Sequence, residues 1–223
     1  MVWLAHLSRL WPRAIAASVV GTTIALTMGA IPVSVSAQSE STETYTDFMD
    51  WCMNRENLSE EAEYTVKLIL EQAGTFNCVR ASENLLNLTR LDLTTSLIKD
   101  VAPIGSLTNL TALKLMNNHI SDVSPLANLK NLTSLDLSYN RIVDISPLAN
   151  LTNLNELNLS YNQISDISPL DSLSELSELN LNQNDIADIS SLQPLDNLTY
   201  LFVRNNPIAD ETCPVSPKYI CQF

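Results

Sequence analysis

The chain has 223 residues, of which 25 are acidic and 12 are basic, and its formal net charge is −13 at neutral pH. Nucleic acids and anionic membrane surfaces bind basic protein faces, so this excess of carboxylates argues against both kinds of partner. The sequence holds only two histidines and four glycines, and it contains neither a CxxC zinc motif nor a glycine-rich phosphate loop. We therefore expect no metal site and no cofactor.

Residues 1–37 have the pattern of a secretory signal peptide. Arg9 and Arg13 precede a charge-free apolar run, and the small residues "VSA" at 35–37 fit a cleavage site. An uncleaved membrane anchor is the alternative, because residues 14–31 are nearly long enough to span a bilayer. We expect cleavage and export, and no membrane contact beyond this segment.

The next part of the chain divides into a flexible acidic arm, residues 38–47, and a helical N-terminal cap, residues 48–87. Within the cap the stretch "NLSEEAEYTVKLILEQAG", residues 57–74, predicts a helix that Ser59 caps and Gly74 ends. Apolar side chains recur three and four positions apart and form one face of this helix: Val66, Ile69, Leu70 and Ala73. We expect this face to cover the first unit of the repeats that follow.

Residues 88–210 consist of six units that register at a spacing of 22 residues without an insertion, for example "LTSLDLSYNRIVDISPLANLTN" from Leu132, and the last of them, from Leu198, is partial. The L-x-L alternation places Leu135 and Leu137 on the inner side of a short strand. The same alternation predicts an outward direction for Ser134, Asp136 and Ser138. One such strand cannot bury its apolar side alone, so the units must stack into a continuous core.

Two features mark the far side of each unit. A Ser-Pro pair, present in three units as Ser124-Pro125, Ser146-Pro147 and Ser168-Pro169, predicts a helical turn in which the serine is the N-cap. An aspartate stands two residues before this place in every unit, at Asp100, Asp122, Asp144, Asp166, Asp188 and Asp210. We expect each carboxylate to accept hydrogen bonds from its own turn. Calcium bound between the turns is the alternative, although the glycine-rich loops of such sites are missing.

An asparagine recurs where each strand ends, at Asn118, Asn140, Asn162, Asn184 and Asn206. Its position could mark a row of amides that reads a ligand, or a structural ladder. The apolar neighbours Leu137 and Ile142 predict that the amide of Asn140 points inward, where it can satisfy backbone groups of the turns. We therefore interpret this column as part of the frame, by which we mean the buried residues that hold the solenoid together.

The pattern L-x-x-L-x-L-x-x-N-x-I resembles the leucine-rich repeat, and the tail D-[IV]-[SA]-P-L-x-x-L is similar to the 22-residue class of bacterial internalins and secreted cyanobacterial proteins. The resemblance implies an α/β solenoid, a right-handed superhelix with a parallel β-sheet on its concave side. It also implies a bacterial protein that is secreted or periplasmic. Ser96 departs from the asparagine column, and Ser191 departs from the turn proline.

Four cysteines in an exported chain indicate disulfide bonds, and they allow three connectivities. Proximity in the sequence favours Cys52–Cys78 and Cys213–Cys221. The second bridge would close residues 211–223 as a C-terminal cap of the solenoid.

The outward positions of the strands predict a concave recognition face. Its candidate partner-binding residues are Lys114, Asp136, Tyr139, Glu156, Asn158, Tyr161, Glu178, Asn180, Tyr200, Phe202 and Arg204. Tyr200 and Phe202 stand in the last repeat, so they either contact a partner or pack under the C-terminal cap.

His119 lacks the nucleophile and orienting group of a catalytic set, so we predict no enzymatic activity. The leading hypothesis is an exported monomer that recognises a protein partner through its concave face. The alternative is a carbohydrate-binding module or weak glycosidase that uses Tyr139, Tyr161 and the central carboxylates on a glycan.

Overall fold

The structure, a computed structural model, describes residues 45–223. The predicted signal peptide, residues 1–37, and residues 38–44 of the predicted arm lie outside the described residues. Asp47, the last residue of that arm, is the N-cap of the first helix and accepts a hydrogen bond from the backbone N–H of Asp50 at 2.9 Å.

Three helices form the N-terminal region, and their bounds are α1 Phe48–Met53, α2 Glu60–Gln72 and α3 Cys78–Leu85. The predicted helix is α2, which begins directly after Ser59, the N-cap that the sequence predicted. Ser59 caps it by accepting from the backbone N–H of Ala62 at 3.1 Å, and Gly74 follows its end with a φ of +72°. Only glycine adopts that left-handed conformation without strain, so it stops the helix.

The apolar face of α2 packs into the core. Val66, Ile69 and Leu70 are fully buried. The hydroxyl of Thr65 donates to the backbone oxygen of Asp100 at 2.7 Å and thereby joins the helix to the first repeat. A disulfide bond, Cys52–Cys78, links α1 to the start of α3 around α2, as the sequence predicted.

The repeats build a parallel sheet whose strands lie side by side in chain order. Its strands are β1 Arg90–Asp92, β2 Ala112–Lys114, β3 Ser134–Asp136, β4 Glu156–Asn158, β5 Glu178–Asn180, β6 Tyr200–Phe202 and β7 Cys221–Gln222. Equivalent residues of successive repeats pair directly, as Leu113 pairs with Leu135 and Leu135 with Leu157. Paired residues of neighbouring strands are therefore 22 residues apart in the sequence, which is the length of one repeat.

The inward leucines form one continuous core. Leu137 is fully buried, and so are Leu148 and Leu151 from the opposite side of the same repeat. The return path of each of the first five repeats is a short 3₁₀ turn, and these turns span Ile104–Ser106, Ser124–Asn128, Ser146–Asn150, Ser168–Ser172 and Ser190–Leu192.

The predicted serine cap of these turns is wrong. Ser146 is itself the first residue of its 3₁₀ turn, and no side chain caps the turn from the N-cap position. The carboxylate of Asp144 accepts from the backbone N–H of Ser146 at 2.8 Å instead. A carboxylate two residues upstream reaches that N–H and forms the stronger, charge-assisted bond.

The C-terminal tail adds a strand that the repeat pattern did not predict. The Cys213–Cys221 bridge holds the tail, and β7 pairs with β6 so that Leu201 faces Cys221 and Phe202 faces Gln222. Val215 and Ile220 are buried with the core cluster. Among residues 45–223 no helix has the length and hydropathy needed to cross a bilayer.

Candidate functional site

The outward side of the sheet, here called the open face, presents two rows of side chains. The strand register aligns the outer row as Ser134, Glu156, Glu178 and Tyr200. It aligns the central row as Lys114, Asp136, Asn158, Asn180 and Phe202. All of these residues except Tyr200 line a depression of about 270 Å³. The strands thus bring eight of the eleven predicted partner-binding residues onto one surface, with Tyr139, Tyr161 and Arg204 in the turns that follow the strands.

The aromatic residues of the last repeat differ in exposure. Half of the surface of Tyr200 is exposed, whereas Phe202 is partly buried. Their rings are nearly parallel, with centroids 6.4 Å apart and an interplanar angle of 7°. Tyr200 therefore belongs to the open face, and Phe202 lies between that face and the C-terminal strand.

Tyr139 and Tyr161 form a stacked pair at the edge of the open face. Their ring centroids are 4.0 Å apart, the rings are inclined by only 11°, and 47% and 42% of their surfaces are exposed. Hydrogen bonding with the phenol of Tyr161 raises the pKa of Tyr139. Both backbones adopt positive φ, at +56° and +57°.

The position that these tyrosines occupy is left-handed in every repeat. Its other residues are Thr95, Asn117, Gln183 and Asn205, each with φ between +56° and +57°. Asparagine tolerates this conformation better than a bulky side chain, for which it is strained. The two central repeats therefore carry aromatic rings at a position where two other repeats have asparagine, which adopts this conformation with less strain.

Two serines that the alternation predicted to point outward are buried. Ser138 and Ser160 have exposed fractions of 1% and 4%. The hydroxyl of Ser138 donates to Asp136 at 2.6 Å, and that of Ser160 donates to Asn158 at 2.8 Å. The chain bends after each strand, so these hydroxyls turn under the face and hold the central row in place.

The asparagine column lies inside the solenoid. The amide nitrogen of Asn140 donates to the backbone oxygens of Leu115 and Leu137 at 2.9 and 3.0 Å, and its oxygen accepts from the N–H of Ile120 at 3.1 Å. Asn118, Asn162, Asn184 and Asn206 make the equivalent bonds in their repeats. In residues 45–223 no buried side-chain nitrogen or oxygen is left without a partner. This geometry supports a structural ladder, which we keep as a proposal to be tested by substitution.

Comparisons with known proteins agree with this architecture. A family model described as leucine rich repeats, in two copies, matches residues 130–172, and a single leucine rich repeat model matches residues 106–124. The crystal structure of an internalin from Listeria monocytogenes is 39% identical, with a TM-score of 0.55 over 63% of this chain. A leucine-rich-repeat protein from Leptospira interrogans is 27% identical, with a TM-score of 0.53 over 62% of this chain.

The repeat matches and the structural likeness support a bacterial leucine-rich-repeat protein of the internalin-like type. It spans 43% of the length of the Listeria internalin and 37% of the length of the Leptospira protein. No curated protein sequence matches it significantly. The likeness thus extends to the repeats and the solenoid, and the residues of a binding site must be argued from this chain itself.

The aspartate column of this leucine-rich-repeat protein serves its turns. Asp166 and Asp188 accept from the backbone N–H of the serine two residues later at 2.9 and 2.8 Å. Hydrogen bonds from that N–H hold the pKa of Asp144, Asp166 and Asp188 below the usual value of aspartate. Within residues 45–223 no group of three or more His, Cys, Asp or Glu side chains is arranged around a metal position.

A second ladder, which the sequence analysis missed, lies at the other edge of the sheet. An asparagine stands directly before four of the repeats, and its amide nitrogen donates to a backbone oxygen 23 residues earlier, as Asn131 does to Thr108 at 2.9 Å and Asn153 does to Lys130 at 2.7 Å. Asn109, Asn131 and Asn153 line a groove of about 970 Å³. The recurring L-x-N-L was the available signal. Because the amides are engaged with the frame, this groove is a weaker candidate than the open face.

Proposed function

We propose that this leucine-rich-repeat protein recognises a protein partner through its open face, the concave side that the resemblance implies. It acts as a non-enzymatic binding protein. Leucine-rich-repeat proteins generally bind protein partners. The depression on the open face extends over residues of β2 to β6 and has a volume of only about 270 Å³, which suits contact with another protein better than enclosure of a small molecule.

The observation that carries this proposal is the stacked pair of tyrosines. Tyr139 and Tyr161 are exposed, lie next to the open face and adopt a backbone conformation that disfavours bulky side chains. Strained conformations of this kind cluster at functional sites. Tyrosine is also among the residues that contribute most to the binding free energy of protein interfaces. Together these facts favour recognition over a purely structural role for the pair.

A second candidate function is binding of a glycan. Exposed aromatic rings beside the carboxylates Glu156 and Glu178 favour it. The stack argues the other way, because each tyrosine ring covers one face of the other and only one face of each is left for a sugar. We therefore place a protein partner first.

We also propose that the protein works outside the cytoplasm, as a secreted or periplasmic monomer. Two disulfide bonds, Cys52–Cys78 and Cys213–Cys221, support this location because such bonds persist in oxidising compartments. The signal pattern of residues 1–37 supports export. N-terminal sequencing of the protein recovered from culture medium or periplasm would test cleavage after Ala37.

A pull-down with matched variants tests the proposed function. The purified protein serves as bait for exported and surface proteins of the organism that encodes it. The double variant Tyr139→Asn, Tyr161→Asn removes both rings. It introduces asparagine, the residue that two other repeats have at the equivalent position, as Asn117 and Asn205. The control is Val143→Ser, which removes an apolar side chain that is 57% exposed and lies outside the strands.

A protein captured by the wild type and by the Val143→Ser variant, and lost with the double tyrosine variant, would support the proposal. Capture that survives the double variant would contradict it. Recovery of polysaccharide alone, lost in the same double variant, would favour the glycan.

A further inference from the structure

Two glutamates stand side by side in the outer row of the open face. Glu156 and Glu178 are direct partners in the register of β4 and β5, and both are exposed. Neighbouring strands are about 4.8 Å apart, and like charges opposite each other on one side of a sheet destabilise it. Folding therefore works against this arrangement.

Neither glutamate forms an ion pair in the described part of the chain, although Lys114 lines the same depression and pairs with Asp136 in the strand register. The hydroxyl of Ser134 donates to Glu156 at 3.0 Å. The one ion pair of residues 45–223, Lys99 with Glu61, lies at the N-terminal cap. The outward charges of β3, β4 and β5 are all carboxylates, from Asp136, Glu156 and Glu178. The centre of the open face is therefore negative.

Aromatic side chains border this negative centre. Tyr200 pairs with Glu178 in the register of β5 and β6, and the ring of Phe202 lies parallel to that of Tyr200. A guanidinium or ammonium group can bind a carboxylate and contact an aromatic ring at the same time, and arginine does so best because its planar group also stacks. The surface offers both types of contact at neighbouring positions.

Building on the proposed function, we infer that the partner presents a cationic segment whose arginine or lysine side chain binds beside Glu156, Glu178 and Tyr200. Charge complementarity selects this occupant, since a cation relieves the repulsion that the folded protein retains. An acidic segment would add to that repulsion. The depression of about 270 Å³ accommodates individual side chains of such a segment.

A random peptide library displayed on phage supplies a probe that does not require the partner to be identified first. The six strands β1 to β6 lie about 4.8 Å apart, so the face is roughly 25 Å long. An extended peptide of about eight residues has the same length, because it rises about 3.3 Å per residue. The library is selected on the full-length protein, and a synthetic peptide of the enriched sequence is then titrated into variants. Glu156→Gln with Glu178→Gln removes the carboxylate pair and keeps the size of both side chains.

The matched control is Glu71→Gln with Glu83→Gln. It removes the same number of charges from exposed positions of α2 and α3. We expect enrichment of arginine or lysine next to an apolar residue. We further expect the dissociation constant to rise roughly tenfold or more in the first variant and to change less than about twofold in the control, because close charge pairs act locally.

The outcomes separate this inference from the proposed function. Enriched peptides that lack basic residues would overturn the inference. If these peptides also fail to bind the Tyr139→Asn, Tyr161→Asn variant, recognition through the open face still stands. Equal weakening in both glutamine variants would also overturn it, because overall charge would then drive binding. Failure to enrich any peptide that depends on the open face would count against both.

Discussion

Two neighbouring positions of the repeat behave in opposite ways. Asn140 is buried, bonded to three backbone segments and repeated in the same place in five of the six units. Tyr139, one residue earlier, is exposed, strained and matched by four kinds of residue in the other units. We therefore propose that a repeat separates its structural framework from its recognition surface within a single turn, with uniform columns in the framework and variable, exposed columns in the surface.

Among the buried residues that support the fold, we expect the core leucines to have the largest effect on the free energy of unfolding. Leu137→Ala should lower the free energy of unfolding by about 2–5 kcal/mol, because it removes buried contacts and leaves a cavity between stacked repeats. Chemical denaturation followed by circular dichroism measures the loss. A loss below about 1 kcal/mol would mean that neighbouring repeats collapse into the cavity.

The asparagine ladder comes next. Asn140→Ala should lower the free energy of unfolding by about 1–3 kcal/mol, because it orphans the buried N–H of Ile120 and removes one of the two amide hydrogen bonds that the carbonyls of Leu115 and Leu137 each accept. Binding to the captured partner should be unchanged once the variant is shown to be folded. A variant of wild-type stability with weakened binding would reverse the assignment of this column from frame to site.

Replacing the exposed residue one position earlier should give the opposite profile. Tyr139→Asn with Tyr161→Asn should change the free energy of unfolding by less than about 1 kcal/mol, because relief of the strained backbone offsets the loss of the ring stack. Partner binding should fall sharply. Thermal unfolding and titration of the captured partner measure the two effects, and a marked loss of stability would move the tyrosines into the frame.

The smallest effect concerns the aspartate column and pH. Hydrogen bonds from the turns lower the pKa of Asp144, Asp166 and Asp188 from the usual 3.8 in the folded state, so the folded state favours the charged carboxylates. Their contribution to stability is complete above the pKa of unfolded aspartate and disappears as pH falls through the lowered folded value. Unfolding midpoints between about pH 5 and pH 2 should therefore decline, and Asp166→Asn should show a shallower decline than wild type. An identical slope in both proteins would contradict this role.

Both disulfide bonds follow from simple proximity of the cysteines, and the helix that Ser59 begins was evident from its caps and its apolar spacing. The short helices α1 and α3 were missed, because six and eight residues give too few turns for a clear apolar period. Of the candidate site, the sequence predicted which residues share the open face. It did not predict the burial of Ser138, because the bend after the strand breaks the alternation.

The sequence by itself determined the solenoid, its strand register and its inward columns. Each unit repeats the same local pattern 22 residues later, so one interpretation applies six times and stacking leaves only one way to bury the leucines. Only the tertiary structure decided the features that depend on distant residues. These are the seventh strand that the tail adds, the exposure of Tyr200, the stack of Tyr139 on Tyr161 and the lack of an ion pair to Glu156 or Glu178 within residues 45–223. Such contacts depend on the closeness of side chains from different repeats and from the cap, which no local period encodes.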